Sequence, residues 1–234
     1  MTERELALAQ AFAALSANLE DRTEADYLRR VATTYTKVLQ VELAVAVWAG
    51  PDQRLHPVTP MPQPSAELLE AVCGDSPAVD AYRSARPVRP ALLTDLAGPW
   101  PAFIVLAHAA GYRAAAAVPL RHRDGVLGSV LLGASTESFP DPALSLARAL
   151  ADAAALGLAA RRTLREHIDT NTHLRGDLQR RVMLQQAAGV LASVDQIAVA
   201  DAVRVLHTWA RRHHRPLEWV AAYVVAHRAL PPAR

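Results

Sequence analysis

The sequence predicts an α+β region followed by an all-helical region. Three observations carry that expectation. Apolar, β-branched runs bounded by Gly, Pro and Asp recur between residues 41 and 134 and then stop. Stretches with apolar residues three and four apart flank those runs. After Pro142 no proline occurs until Pro216, and nothing in between reads as a strand.

Taken in order, residues 3–19 and 24–40 read as helices. Leu6, Ala9, Phe12, Ala13 and Leu15 lie near one side of the first, and Tyr27, Leu28, Val31, Tyr35 and Val38 on one side of the second. "VELAVAVWAG" (41–50) is a strand entering a Gly-Pro-Asp turn. Residues 51–64 hold five prolines, leaving a loop with at most a short strand at 55–58. Ser65 is placed to cap the helix in "SAELLEAVCG", and Pro77 suits the first turn of the helix in "SPAVDAYRSARPV". "RPALLTDLAG" reads as strand and loop, and "GPWPAFIVLAHAAG" as a helix closed by Gly111. Residues 114–120 and 126–133 flank "RHRDG", where Asp124-Gly125 signals a hairpin of two antiparallel strands. The sum is an antiparallel sheet of five or six strands with helices around it.

The remainder is helical. Residues 143–192 hold no proline and three glycines, so they can form one long helix with breaks. Leu146, Leu150, Ala153, Leu164, Ile168, Leu178 and Val182 follow a seam of three and four, interrupted by polar "REHIDTNTHLRGD" (165–177). That stretch is expected to be an exposed helical linker. Asp195 is placed to cap a helix over 196–213 with Val199, Ala202, Val203, Leu206 and Ala210 on one face. Pro216 fits the first position of a last helix, with Glu218 in the turn where a carboxylate suits the dipole. The expected organisation is a domain over 1–160, a linker over 161–178 and a three-helix bundle over 179–234.

Composition narrows the function. The 234 residues are 51% hydrophobic and 21% charged. No apolar run is expected to span a bilayer, and the N-terminus has no basic head before an apolar core, so neither membrane insertion nor secretion is expected. Cys73 is the single cysteine, which excludes an internal disulfide and fits the cytoplasm. Residues 161–234 carry 12 Arg against 6 acidic residues, a net of +6, while residues 1–160 carry 13 basic against 17 acidic, a net of −4. A basic tail behind an acidic head points to a polyanion partner or to a solvated helical surface. Catalysis is not expected. No glycine-rich phosphate loop follows a strand. His213 and His214 are adjacent and diverge, so they make a poor metal pair. Cys73 reads as a small buried thiol, with nothing in the spacing of His56, His108 and His122 to make it a nucleophile. No cofactor and no metal are expected.

One stretch stands apart. "QRRVMLQQAAGVLASV" (179–194) places Gly189 inside a helix, at a cost of about 1 kcal/mol relative to alanine. Either two helices pack closely there or an external partner approaches, with Arg180 and Arg181 reaching phosphates. Further on, "ARRHHRP" (210–216) gathers Arg212 and Arg215 at a helix end. They serve as phosphate contacts or as cations stabilising a helix C-terminus. Trp209 and Trp219 suit either base stacking or apolar packing.

"RVMLQQAAGVLASVDQIAVADAVRVLHTWARRHHRPLEWVAAYVV" resembles an ANTAR domain, the RNA-binding module of bacterial transcription antiterminators. Arg181, Met183, Leu184, Gln185, Gln186, Ala187, Gly189, Val190 and Leu191 match the opening of its pattern. Ala202, Leu206, Ala210, Arg215, Leu217, Val220, Ala221 and Val225 match the remainder. Ala188 replaces the usual lysine and His214 a frequent asparagine. The first part, with "GDSPAVDAYRSARPV" and then Trp100-Pro101, Gly111, Val118-Pro119-Leu120, Gly125 and Gly128, resembles a GAF domain of the kind found upstream of ANTAR modules in actinobacteria. The resemblance implies a sensory domain controlling a module that binds RNA hairpins. It implies Arg180, Arg181, Gln185, Ala188, Gly189, Arg212 and Arg215 at the RNA, with Ala188 at the centre of that surface. It also implies a homodimer through the helical parts, and the first domain is expected to hold either a small-molecule pocket near Tyr82, Arg83 and Trp100 or a packed core with no ligand. Two other classes stand beside it: an interaction or dimerisation module that has lost RNA binding, and a helix-turn-helix that binds DNA. The last helix offers Glu218, His227 and Arg228 as polar reach, few for reading bases.

Overall fold

The computed structural model describes residues 3–17, 23–50, 54–60, 63–93, 98–123, 125–137, 139 and 141–232. Pro51, Asp52 and Asp124, which the sequence places in turns, lie outside the described residues. The chain divides into two compact units, Met1–Thr163 and Leu164–Arg234.

The first unit contains α1 (Glu3–Ala17), α2 (Glu24–Leu39), β1 (Leu43–Ala49), β2 (Leu55–Val58), α3 (Ala66–Gly74), α4 (Pro77–Ser84), β3 (Val88–Leu92), α5 (Pro101–Ala109), β4 (Ala114–His122) and β5 (Gly125–Ala134). Next comes α6 (Asp141–Asp195), whose first part belongs to this unit and whose second part belongs to the other. The five strands form one antiparallel sheet in the order β2-β1-β5-β4-β3. Both faces of the central strands are covered, which is why β1, β4 and β5 read as unbroken apolar runs rather than alternating ones. Side chains at alternate positions part to opposite faces. Ala44, Ala46, Ala116, Val118, Val130 and Leu132 meet α2 and the start of α6. Leu43, Val45, Val47, Ala115, Ala117 and Leu131 meet α3, α4 and α5.

Local chemistry sets the helix ends. Ser65 Oγ accepts from the Leu68 N–H, and Ser76 Oγ accepts from the N–H groups of Ala78 and Val79, with Pro77 in the first turn of α4. Gly111, at φ 91°, closes α5: its own N–H reaches His108 O and the Tyr112 N–H reaches Ala107 O. Asp195 is not the N-cap that the sequence suggested. It ends α6, Gln196 turns left-handed at φ 54°, and the Ile197 N–H returns to Ala192 O. The following helix starts later, at Val199, with no side-chain cap at Ala198.

The expected breaks in the long helix are absent: α6 is one helix of 55 residues. The expectation that no apolar run could span a bilayer also needs correction. Residues 143–195 contain a window with mean hydropathy 1.4, apolar enough by length and composition alone to cross one. Alanine supplies much of that run, and Ala147, Leu150, Ala151, Ala154, Ala155 and Leu158 are buried in the core of the first unit.

One contact holds α1, α2 and α6 together. The Tyr27 hydroxyl shares its hydrogen between the carbonyls of Leu15 (2.9 Å) and Ala154 (3.0 Å). The Arg161 guanidinium lies 3.9 Å from the Tyr27 ring centroid, and its Nη1 donates to Gly157 O at 3.0 Å. Two turns along α2, Tyr35 donates to Ala147 O at 2.7 Å. A Cβ at Gly157 would come within 2.2 Å of the Tyr27 oxygen and 2.4 Å of Leu15 O. Gly157→Ala is therefore expected to destabilise this unit by about 1–3 kcal/mol, because the overlap outweighs the helix propensity gained. Thermal unfolding of the variant checks this; an unchanged or raised midpoint would show that the helices relax apart freely.

Candidate nucleic-acid interface

The second unit is built from the later part of α6, α7 (Val199–Arg212) and α8 (Leu217–His227). Its core consists of small and medium side chains: Ala187, Ala188, Leu191 and Ala192 of α6, Ala202, Leu206 and Ala210 of α7, and Val220, Ala221 and Val224 of α8. The spacings of three and four on each helix give every one of them a single buried stripe.

The turn between α7 and α8 follows from its hydrogen bonds. The His214 N–H reaches Arg211 O and the Arg215 N–H reaches Ala210 O, with His214 left-handed at φ 48°. That is a Schellman closure, in which glycine or asparagine is the usual left-handed residue. His214 thus departs from the ANTAR pattern at a conformational position. Pro216 stands as the N-cap of α8, one residue before the position the sequence suggested.

Ala188 requires a plain correction. The sequence placed it at the centre of an RNA-facing surface, and it is fully buried in the bundle core. Gly189, next to it, is exposed, and a Cβ added there would meet nothing within 4 Å. Close packing of helices within the chain is therefore not what needs a glycine here. Arg181, Gln185 and Gly189 are four residues apart and all exposed, so they form one open stripe about 12 Å long on α6.

The cations differ in how far they are committed. Arg180 pairs with Asp177 and lies 3.7 Å from Glu218, and Arg204 pairs with Asp201. Among the described residues no carboxylate pairs with Arg181, Arg212 or Arg215. The Arg180–Glu218 contact sets the start of α8 beside Arg180. The α7–α8 turn, with Arg212 and Arg215, then lies at the same end of the bundle as Arg180 and Arg181. Four of the seven expected residues gather there, with Gln185 and Gly189 one and two turns along α6. The sequence reading missed Tyr223 and did not connect His213 and His227 to the tryptophans, although all three share a continuous set of ring contacts with Trp209 and Trp219. Their signal was available: rings recur every four residues at 209 and 213 and at 219, 223 and 227.

The three residues expected near a ligand in the first unit do not share one environment. Trp100 is buried and its Nε1 donates to Asp80 at 2.9 Å, so its polar edge is already used. Tyr82 is half-buried and Arg83 exposed, and as neighbours on α4 they point about 100° apart. Burial pushes the Cys73 thiol up to about 11, leaving it protonated and unreactive near neutral pH. Among the described residues no three His, Cys, Asp or Glu side chains converge to hold a metal.

Comparison with known proteins matches this architecture. Residues 21–159 match the GAF domain family and residues 172–225 the ANTAR domain family. Comparison with curated proteins returns no match. Among solved structures, the chain is similar to a bacteriophytochrome from R. palustris, with 13% identity and a TM-score of 0.54 over 88% of this chain and 46% of that one. It is also similar to the chromophore-binding domain of an unusual bacteriophytochrome from R. palustris, with 12% identity and a TM-score of 0.51 over 70% of this chain and 62% of that one. A third similarity, to the GAF domain of an Acinetobacter phosphoenolpyruvate-protein phosphotransferase, has 14% identity and a TM-score of 0.49 over 70% of this chain and 97% of that one. The chain thus spans less than two thirds of the two bacteriophytochrome chains, and at these identities the likeness is one of fold. With the family match covering more than half of its length, the chain belongs to the GAF domain family and carries an ANTAR domain behind it, the arrangement of a GAF–ANTAR regulator.

Proposed function

We propose that the protein is a cytoplasmic, homodimeric transcription antitermination regulator whose ANTAR domain binds RNA hairpins under the control of its GAF domain. The observation that carries this reading is the set of Arg181, Arg212 and Arg215 at one end of the terminal bundle, none paired with a carboxylate among the described residues, beside an open helix stripe ending at Gly189. Guanidinium groups without carboxylate partners hold phosphates without first breaking an ion pair. A backbone with no side chain at Gly189 admits a sugar or base edge closely. A small molecule bound beside α4 and α5, near Tyr82, Arg83 and Trp100, would be the signal.

The dimer reading rests on α6. Leu164, Ile168, Leu178 and Val182 are each more than 40% exposed. With Asn171 and Arg175 they follow alternating steps of four and three, the seam of a two-stranded coiled coil with two polar positions that set register. The chain is expected to sediment at twice its 25.2 kDa mass, and Leu178→Glu to shift it toward the monomer. A wild-type species of 25.2 kDa alone at micromolar concentration would remove the dimer.

Hairpin RNA titrated across a salt series tests the function. Each single-strand phosphate contact contributes about 0.7 to the logarithmic salt slope. Arg181→Ala and Arg215→Ala are each expected to weaken binding and to flatten the slope by about that amount. Absence of binding at low salt would leave the interaction module, and preference for duplex DNA at matched salt the helix-turn-helix.

Two neighbouring substitutions on α6 are expected to move stability in opposite directions. Gly189→Ala fills open space and improves helix propensity, so the bundle gains up to about 1 kcal/mol while RNA binding weakens. Ala188→Lys forces a long cation into the core and costs about 1–3 kcal/mol. Chemical denaturation of the two variants measures both, and a stable Ala188→Lys protein with tighter RNA binding would return position 188 to the surface.

A further inference from the structure

Five rings run in sequence across α7 and α8. On α8, Trp219, Tyr223 and His227 are four residues apart and lie on one stripe. Tyr223 and His227 stack with centroids 4.0 Å apart, and Trp219 lies 5.8 Å from Tyr223. Trp209 of α7 stacks at 4.3 Å on His213, the residue that caps that helix, and meets Trp219 at 6.2 Å. The Arg215 guanidinium lies 5.3 Å from the Trp219 ring centroid.

Of the five, Trp209 packs half-buried against the core, which Val220, Ala221 and Val224 supply on α8, and the other four lie outside it. Trp219 stays 44% exposed in the middle of the series, and its offset contacts with both neighbours leave ring area in water. Rings that only sealed the bundle would turn that area inward, since exposed aromatic surface forgoes the gain of burial. Beside Trp209 and His213 runs a groove of about 590 Å3, whose walls include Arg212 and the ion pair of Arg204 with Asp201. The carboxylates nearby are already engaged, Asp201 by Arg204 and Glu218 by Arg180. An occupant must therefore present flat π faces together with negative charge. A second copy of this surface brings arginine against arginine, whereas an unpaired nucleotide meets both demands.

Building on the hairpin-binding reading of this unit, we propose that the ring series is a stacking platform for unpaired loop bases of RNA. Trp219 receives the base, while Arg212 and Arg215 hold the adjoining phosphates. The bases of a paired stem have no free face to offer, so the platform distinguishes loop from stem, which phosphate contacts alone do not.

The full-length protein is titrated with three RNAs of equal charge: a stem-loop with a randomised loop, the same stem with an abasic loop, and a fully paired duplex. Wild type is expected to bind the base-bearing loop roughly tenfold more tightly than the abasic one, with its tryptophan emission quenched only by the former. Trp219→Leu, which keeps an apolar side chain but no ring, is expected to lose that preference while keeping its affinity for the abasic loop and its salt slope. Trp219→Phe is expected to retain most of the preference. Equal affinity of wild type for base-bearing and abasic loops, or a preference that survives Trp219→Leu, would overturn the platform while leaving the phosphate grip intact. Failure of wild type to bind any of the three at low salt would overturn the hairpin reading and the platform with it. Should Trp219→Leu not fold, the quenching comparison on wild type decides alone. If Trp219→Leu alters sedimentation but not loop preference, the rings belong to an interface between copies and the platform falls.

Discussion

The absence of a side chain at Gly157 is the constraint on which the first unit closes. It lets the Tyr27 hydroxyl and the Leu15 carbonyl approach the backbone of α6, and the guanidinium of Arg161, one turn further along that helix, covers the Tyr27 ring. Tyr27 and Tyr35 anchor the first part of α6 at two points two turns apart, at Ala154 and Ala147. Each bond satisfies a phenol that is otherwise fully buried, which makes these contacts costly to lose. The opposite face is fastened by a single hydroxyl between sheet and helix, Ser129 of β5 donating to Ala78 O of α4 at 2.8 Å, within a cluster that includes Leu43, Val45, Phe103, Ile104 and Leu131. The same helix that these tyrosines grip continues as the first helix of the terminal bundle.

In that bundle the logic is one of size. Six of the ten buried core residues are alanines, at 187, 188, 192, 202, 210 and 221. Helices that meet through alanine approach closely and leave no volume for an indole between them. Trp209, Trp219 and Tyr223 are accordingly displaced to the rim, where they touch one another. The aromatic surface is thus a consequence of the small core. Enlarging a core alanine would spread the helices and pull the rings apart.

Strands and most helix starts were legible in the sequence because their signals are local and chemically specific. Ser65, Ser76 and Pro77 act where their chemistry says they should, and Gly111 and Gly125 adopt the positive φ that glycine permits. Helix ends were harder to place. Gln40, Ala85, Gln196, His214 and Arg228 all turn left-handed without being glycine, so no residue type announced them. Asp195 looked like a cap because it is an aspartate before an apolar pattern, yet the chain needs one more closing turn at Gln196 before α7 can begin. Ala188 misled for a related reason. Alanine fits either face of a helix, so the register of α6 in "LQQAAGVL" rests on Leu184 and Leu191, which bring Ala187 and Ala188 inward and turn Gly189 outward. A family pattern with lysine at 188 pulled the expectation to the surface. The aromatic series was missed for a different cause: rings on two helices become one feature only once α7 and α8 are packed together.

The proposed RNA-binding arrangement separates two tasks that a single basic patch would merge. On the proposed reading, Arg181, Arg212 and Arg215 would contact phosphates, which are the same in every RNA, and so would supply affinity and orientation without information about sequence. Information must come from base edges and base faces, and those are free only where the strand is unpaired. The open stripe of Arg181, Gln185 and Gly189 offers one amide, at Gln185, able to donate and accept toward a base edge. The rings on α7 and α8 offer faces but no pattern of donors. A ligand read by both elements would therefore be recognised first by its unpaired loop and only secondarily by its bases. On this division of labour, removing charge lowers affinity for every RNA alike, and removing a ring lowers it only for loops.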